Sequence, residues 1–248
     1  MRVKTSRKPI VALLLLASAP LNAAPSQAGG AKPYTTLTTS KLLDFRYSFP
    51  TIVGTYPALL AKIRADQQAA HKQALADAQA DLDARKGQDF PFHQHQFWRD
   101  WTVAGNSFSL LSLASRTEFF TGGAHGNHGS SALLWDEKKD AAIDLDRLFG
   151  GSAALWKQIQ PSYCRKLVAE RLRRGITAAT TCPKRNELTI VPVDTDFDYH
   201  FDSLRIVADP YVAGSYAEGF YIISLPITEA LLASIDPAYR ASFEVQRQ

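Results

Sequence analysis

The chain has 248 residues, of which 46% are apolar and 21% charged, and its formal net charge is +4. Arg2, Lys4, Arg7 and Lys8 supply that excess; setting them aside reduces the 28 basic residues to 24, equal to the 24 acidic ones. A neutral remainder excludes a polybasic nucleic-acid binder, so no nucleic-acid partner is expected.

Residues 1–23 have the layout of a signal peptide. A basic start precedes the apolar run Ile10–Leu21, and Leu21-Asn22-Ala23 offers small residues for cleavage. The run is shorter than the roughly 20 residues a membrane-spanning helix needs. No later segment is long and apolar enough either. The expectation is a periplasmic or secreted protein without a stable membrane span after cleavage, the alternative being a retained anchor. Residues 24–33, rich in Ala, Ser, Gln, Pro and Gly, read as a disordered linker. Residues 34–248 then form one domain, with 34–118 and 119–248 as candidate subdomains.

Within it, Phe45, Tyr47 and Phe49 alternate as on a half-buried strand. Pro57 to Gly87 is Ala-rich, with Pro suited to a first helical turn and Gly to a stop. The apolar stripe of that helix (Leu59, Leu60, Ile63, Ala70, Ala74, Leu82) is thin, so only its first turns should dock. Phe92–Val103 and Phe108–Phe120 read as strands around a Gly105-Asn106 turn. Ser130–Asp136 and Ala142–Leu145 read as a hairpin turning at residues 137–140, and a short helical turn follows. Ser152–Arg174 is a second helical zone, which Ser152 caps and Pro161 should break or kink. Glu187–Val191, His200–Val207 and Gly219–Leu225 are strands, Thr228–Ile235 is a short helix, and the tail from Asp236 is exposed. Strands and helices mix without strict alternation. The fold class is therefore α+β: mostly antiparallel sheet, a long helix in the N-terminal half, and further short helices.

Cys164 and Cys182 are the two cysteines. Behind an export signal an isolated pair reads as a disulfide, worth about 3 kcal/mol on the chain-entropy model.

The segment Phe119-Phe120-Thr121-Gly122-Gly123-Ala124-His125-Gly126-Asn127 is dense in glycine and follows an aromatic strand end. Its glycines serve either a tight structural connection or a binding loop. Ile143–Phe149 and the stretch Asp209-Pro210-Tyr211-Val212-Ala213-Gly214-Ser215-Tyr216-Ala217-Glu218-Gly219 follow it. In this order the three segments resemble a bacterial extracytoplasmic domain family, the domain found in the lysozyme-sensing anti-sigma factor RsiV and beside the deacetylase domain of PdaC. The resemblance implies an exported, non-enzymatic binding domain. Its partner would be an envelope component: peptidoglycan, or a cell-wall-active protein such as lysozyme. It points to Gly122, Gly123, His125, Gly126, Asn127, Tyr211, Tyr216 and Glu218 as ligand-binding residues, with no cofactor and no metal. The Asp-Asp pair and His-x-x-x-His pattern of the PdaC deacetylase domain do not occur here, so deacetylase activity is not carried over.

Two other readings compete. A hydrolase would centre on His125 with a carboxylate such as Glu218 or Asp209. A metal site would gather His93, His95, His125 and His128. Asp194-Thr195-Asp196-Phe197-Asp198 is similar to half a calcium loop but lacks the Gly and distal Glu. Trp98, Trp101, Tyr211 and Tyr216 would make a glycan-stacking platform if they shared a surface.

Overall fold

The computed structural model describes residues 32–246; the expected signal peptide and all of the linker but Lys32 and Pro33 lie outside the described residues. The architecture is α+β. A six-stranded sheet runs β1 (Tyr34–Thr39), β2 (Leu43–Phe49), β3 (His95–Asn106), β4 (Leu110–Phe120), β5 (Asn127–Asp136) and β6 (Ala141–Ile143), in that order. Only β2 and β3 pair in parallel, because the helix α1 (Pro57–Ala84) carries the chain back between them. A second sheet, antiparallel throughout, contains β7 (Thr189–Val193), β8 (Ser203–Ala208) and β9 (Tyr221–Pro226). The remaining helices are α2 (Leu145–Leu148), α3 (Ser152–Arg173) and α4 (Glu229–Ser234). Among the described residues no helix is long and apolar enough to cross a membrane.

The period-2 alternation of β4 and β5 explains how one hairpin serves two cores. Leu111, Leu113 and Trp135 point to the α1 side, where they meet Phe45, Tyr47, Leu59, Ile63 and Trp101. Leu110 and Leu134 point the other way, into a larger cluster built by Leu155, Ile159, Tyr163 and Leu167 of α3 and by Ile206, Tyr221 and Ile223 of the second sheet. α1 begins with Pro57 in its first turn, and Asp140 of the β5–β6 turn accepts the Ala58 N–H at 2.9 Å. This satisfies one of the helix's orphan donors. Only Leu59, Ile63 and Ala78 of α1 are buried, so the helix is docked at its start and solvated along most of its length, as its thin stripe predicts.

Several expectations are corrected. The β3–β4 turn is not at Gly105-Asn106. The turn lies at residues 107–109, where the Ser107 hydroxyl accepts the Leu110 N–H at 3.0 Å. Gly105 is a bulge position inside β3, and a Cβ there would come within 2.8 Å of the Asp194 amide nitrogen and of the Phe201 ring. The glycine marks a close approach, not a turn. Pro161 does not break α3, which runs unbroken from Ser152 to Arg173. Residues 157 and 161 are both exposed, so the carbonyl that loses its partner faces water, while Leu155, Ile159, Tyr163 and Leu167 hold both halves to the core. Gly151, not Ser152, stands at the N-cap. The C-terminal tail is exposed only in part: Asp236, Pro237, Ala238, Arg240 and Ala241 are exposed, but Phe243 is buried against Phe201 and Ser242 is buried beside it. Its Phe243 is an isolated apolar residue, which carries no periodic signal.

Cys164 and Cys182 form the expected disulfide, with Cα atoms 5.7 Å apart, tying α3 to the segment that precedes β7.

Candidate functional site

The glycine-rich loop joins β4 to β5 at the end of the hairpin, and its two neighbouring glycines differ. Gly122 has φ +79°, and a Cβ there would lie 3.2 Å from an Asp81 carboxylate oxygen; a Cβ on Gly123 would meet nothing within 4 Å. Backbone necessity therefore rests on Gly122. The loop abuts the C-terminal end of α1, where Asp81 accepts both a two-point contact from Arg85 at 2.9 Å and a contact from the buried His95 at 3.3 Å. Arg85 is the main reason the Asp81 carboxyl is held below its usual range.

His125 is exposed. Its Nδ1 lies 2.8 Å from the Gly126 carbonyl, which assigns that nitrogen the proton, and its Nε2 lies 3.4 Å from the Tyr211 hydroxyl. Its ring stacks on Tyr216 with centroids 4.0 Å apart. Tyr211 lies 5.7 Å from Tyr216 on the same strip, is 62% exposed, and holds φ +74°. A bulky residue in the left-handed region is costly and marks a conformation imposed by its surroundings. The strip continues inward. His128 Nε2 is 3.4 Å from the Tyr216 hydroxyl, His128 packs 5.7 Å from Phe220, and the Arg116 guanidinium lies 5.0 Å over Phe220. His128 Nδ1 is buried without a partner. Asn127 pairs with Phe119 and starts β5.

A buried ion pair fixes the loop that carries the two tyrosines. Glu218 accepts from Arg171 at 2.5 Å, from the Tyr221 hydroxyl at 2.5 Å and from the Ser215 amide at 2.9 Å. The Tyr221 hydroxyl, the Ser215 amide and the Arg171 charge together hold the Glu218 carboxyl below its ordinary value, and burial is the first cause that raises the Tyr221 hydroxyl. Arg171 also donates to the Ala213 carbonyl at 2.6 Å. Gly214 allows this closeness: a Cβ there would lie 2.1 Å from a Glu218 carboxylate oxygen. Asp209 anchors the start of the same loop to β5, accepting from Ser130 N–H at 3.0 Å and Oγ at 2.6 Å.

The structure thus brings His125, Tyr211 and Tyr216 together, places Gly122, Gly123, Gly126 and Asn127 in the hairpin connection beside them, and uses Glu218 as a brace. Neither Glu218 nor Asp209 bonds to His125, whose ring nitrogens meet a carbonyl and a phenol. The four histidines do not converge. The carboxylate and imidazole groups close enough to share an ion, among the described residues, are Asp198/His200/Glu244 and Asp194/Asp196/Asp198. In the second, Asp194 already accepts the Phe197 and Tyr199 amides at 2.7 and 3.1 Å, as a turn staple does. Trp98 and Trp101 do not join the tyrosines: Trp101 is core, bonded to the Tyr47 hydroxyl at 2.7 Å, and Trp98 bonds Asp44. Sequence reasoning missed Arg171, Arg116 and Phe220. Arg171 did leave a signal, since it continues the buried i, i+4 series 155, 159, 163, 167, where a charge requires a buried partner.

Comparison with known proteins gives a consistent result. Residues 37–128 match the family model described as deacetylase PdaC. The fold is similar to a DUF3298 family protein from Pseudomonas aeruginosa, with 16% identity and a TM-score of 0.52 over 87% of this chain and 96% of that one. It is also similar to a DUF3298 family member from Bacteroides fragilis, with 14% identity and a TM-score of 0.53 over 86% of this chain and 97% of that one. No curated protein matches the sequence. Both findings agree with the RsiV/PdaC-type resemblance of the sequence motifs.

Proposed function

We propose that this chain, whose residues 37–128 carry a PdaC-type domain, is an exported, non-enzymatic binding domain for a cell-envelope component. It holds its ligand on the strip formed by Tyr211, His125 and Tyr216. The observation that carries the reading is Tyr211: a 62% exposed aromatic at φ +74°, beside an imidazole stacked 4.0 Å from a second tyrosine. An exposed, braced π surface with a hydroxyl and an imidazole edge suits a sugar face or a planar side chain of a partner protein. The partners argued for are peptidoglycan and a cell-wall-active protein such as lysozyme. With a carbonyl and a phenol as its neighbours, His125 lacks the carboxylate that would orient it as a general base, which favours binding over hydrolysis.

The test is binding of the purified protein to isolated peptidoglycan and to lysozyme, with Tyr216→Ala and His125→Ala alongside. Tyr216→Ala should weaken binding to one of the two by about tenfold or more while leaving the melting temperature nearly unchanged. Wild-type protein that binds neither, or variants that bind as the wild type does, would overturn the proposal.

A further inference from the structure

The connection from β7 to β8 carries the carboxylates of Asp194, Asp196, Asp198 and Asp202 and the imidazole of His200. Asp194 staples the turn, and the buried Asp202 accepts from the Thr195 amide and hydroxyl. Among the described residues no Lys or Arg forms an ion pair with Asp194, Asp196 or Asp202. Negative charge gathered in one loop without a basic partner draws a cation from solution.

Charge alone would not make a site. The second observation is a mixed donor set drawn from two remote segments. Asp198, His200 and Glu244 each place one ligand atom within 4.8 Å of the other two. Glu244 does not belong to the loop; a parallel bridge between Phe201 and Phe243 brings it there from the C-terminal tail. The Phe201 N–H donates to the Ser242 carbonyl at 2.9 Å, and the Glu244 N–H donates to the Phe201 carbonyl at 3.0 Å. Both phenylalanines are buried, with ring centroids 5.1 Å apart. The backbone beneath His200 and Glu244 is therefore fixed by contacts that involve neither side chain. The Phe108 ring crosses the imidazole at 73°, centroids 5.9 Å apart, and orients it. His200 Nδ1 lies 3.2 Å from Asp198 Oδ1. A charge-assisted hydrogen bond is shorter, about 2.7–2.9 Å. Two ligands on a tetrahedral ion with bonds of about 2.0–2.1 Å stand about 3.3 Å apart, which is the spacing this pair already has. The His200 and Asp198 side chains are 31% and 30% exposed, so an ion reaches them from solvent without any opening of the fold.

We infer that Asp198, His200 and Glu244 form a zinc-binding site, with water completing the coordination. One imidazole and two carboxylates suit the borderline character of zinc, and the two carboxylates neutralise its charge. Calcium takes six to eight oxygen ligands and is poorly served by an imidazole and by so small a set. The bound ion clips the C-terminal tail to the β7–β8 connection. The site shares no residue with the Tyr211–Tyr216 strip and stands whether or not that strip holds an envelope ligand.

Calorimetric titration of zinc into the untagged, chelator-treated protein tests this, with thermal melts in parallel. Zinc should bind saturably at one equivalent and raise the melting temperature by several degrees at saturation. His200→Ala and Glu244→Gln should each weaken binding roughly tenfold or more while the metal-free proteins melt near the wild type. His93→Ala, which removes an exposed imidazole elsewhere, should leave binding unchanged. Calcium should bind roughly a hundredfold more weakly than zinc. Absence of saturable binding at submillimolar zinc, full-strength binding by both His200→Ala and Glu244→Gln, or calcium held as tightly as zinc would overturn the inference. Loss of zinc binding in His93→Ala with His200→Ala unaffected would overturn it as well, by placing the ion elsewhere.

Discussion

The two faces of the β4–β5 hairpin are covered by helices that reach it in opposite ways. α3 lays Leu155, Ile159, Tyr163 and Leu167 into the larger core at a regular four-residue interval, and the hollow of about 440 Å³ at its edge lies against β9 and α4. α1 docks through Leu59 and Ile63, and then presents alanines over a groove of about 610 Å³. The sheet and the helical geometry are common to both. The difference lies in side-chain volume at the contact positions, and it decides whether a helix–sheet interface becomes core or cleft. The polar groups do not follow the same division. On the α3 side Arg171 pairs with Glu218 and fixes a loop, yet Arg171 Nε and the Tyr163 hydroxyl are buried without a partner, as the Ser115 hydroxyl is on the α1 side, so unmet bonding capacity occurs on both faces.

The comparison is broken most severely at the brace. Arg171→Ala leaves the Glu218 carboxylate three-quarters or more covered without its cation, and should cost about 3–5 kcal/mol in a urea titration, less what solvent at the partly open carboxylate restores. A loss below 1 kcal/mol, on the order of a surface pair, would show that the two faces do not differ in this way. The hairpin connection separates the faces and responds next. Gly122→Ala should cost about 1–2 kcal/mol because the residue sits at φ +79°, while Gly123→Ala should stay within about 0.5 kcal/mol. Thermal melts giving the reverse order would move the backbone constraint to the other glycine.

On the lightly packed side, Ala70→Gly should cost only about 1 kcal/mol, mostly helix propensity. A loss several times larger would mean that the middle of α1 is a packed element. The smallest effect is a pH dependence. The folded Glu218 carboxyl is held below its ordinary value of 4.5, chiefly by the Tyr221 hydroxyl. Its contribution is therefore complete above that value and is lost as pH falls through the depressed folded value. The stability of the wild type should decline more steeply on acidification than that of Glu218→Gln. Parallel slopes for the two proteins would remove the brace from the pH response.

Much of the fold was legible because it is written in short-range patterns. The alternation Phe45, Tyr47, Phe49 located β2 and its buried face, Pro57 and Gly87 bracketed α1, and the apolar run ending at Pro226 located β9. The cysteine pair sufficed for the disulfide. Patterns of that kind misled where a residue's meaning depended on a distant neighbour. Gly105 read as a turn because its contacts with Asp194 and Phe201 lie about ninety residues away in sequence. Pro161 read as a break because the packing that keeps α3 whole comes from the core around it.

The candidate site divides in the same way. The resemblance of the sequence motifs, not residue type or density, singled out the glycine loop, His125, Tyr211 and Tyr216 as candidate ligand-binding residues. It could not establish that His125 stacks on Tyr216 across 91 positions, or that Glu218 turns inward to Arg171 across 47. Dihedral preferences and hydrophobic period are properties of neighbouring residues, and the chain carries them wherever it goes. Which polar group finds a partner, and which is left without one, is settled only when elements remote in sequence pack together, because burial and hydrogen bonding are shared among all of them at once.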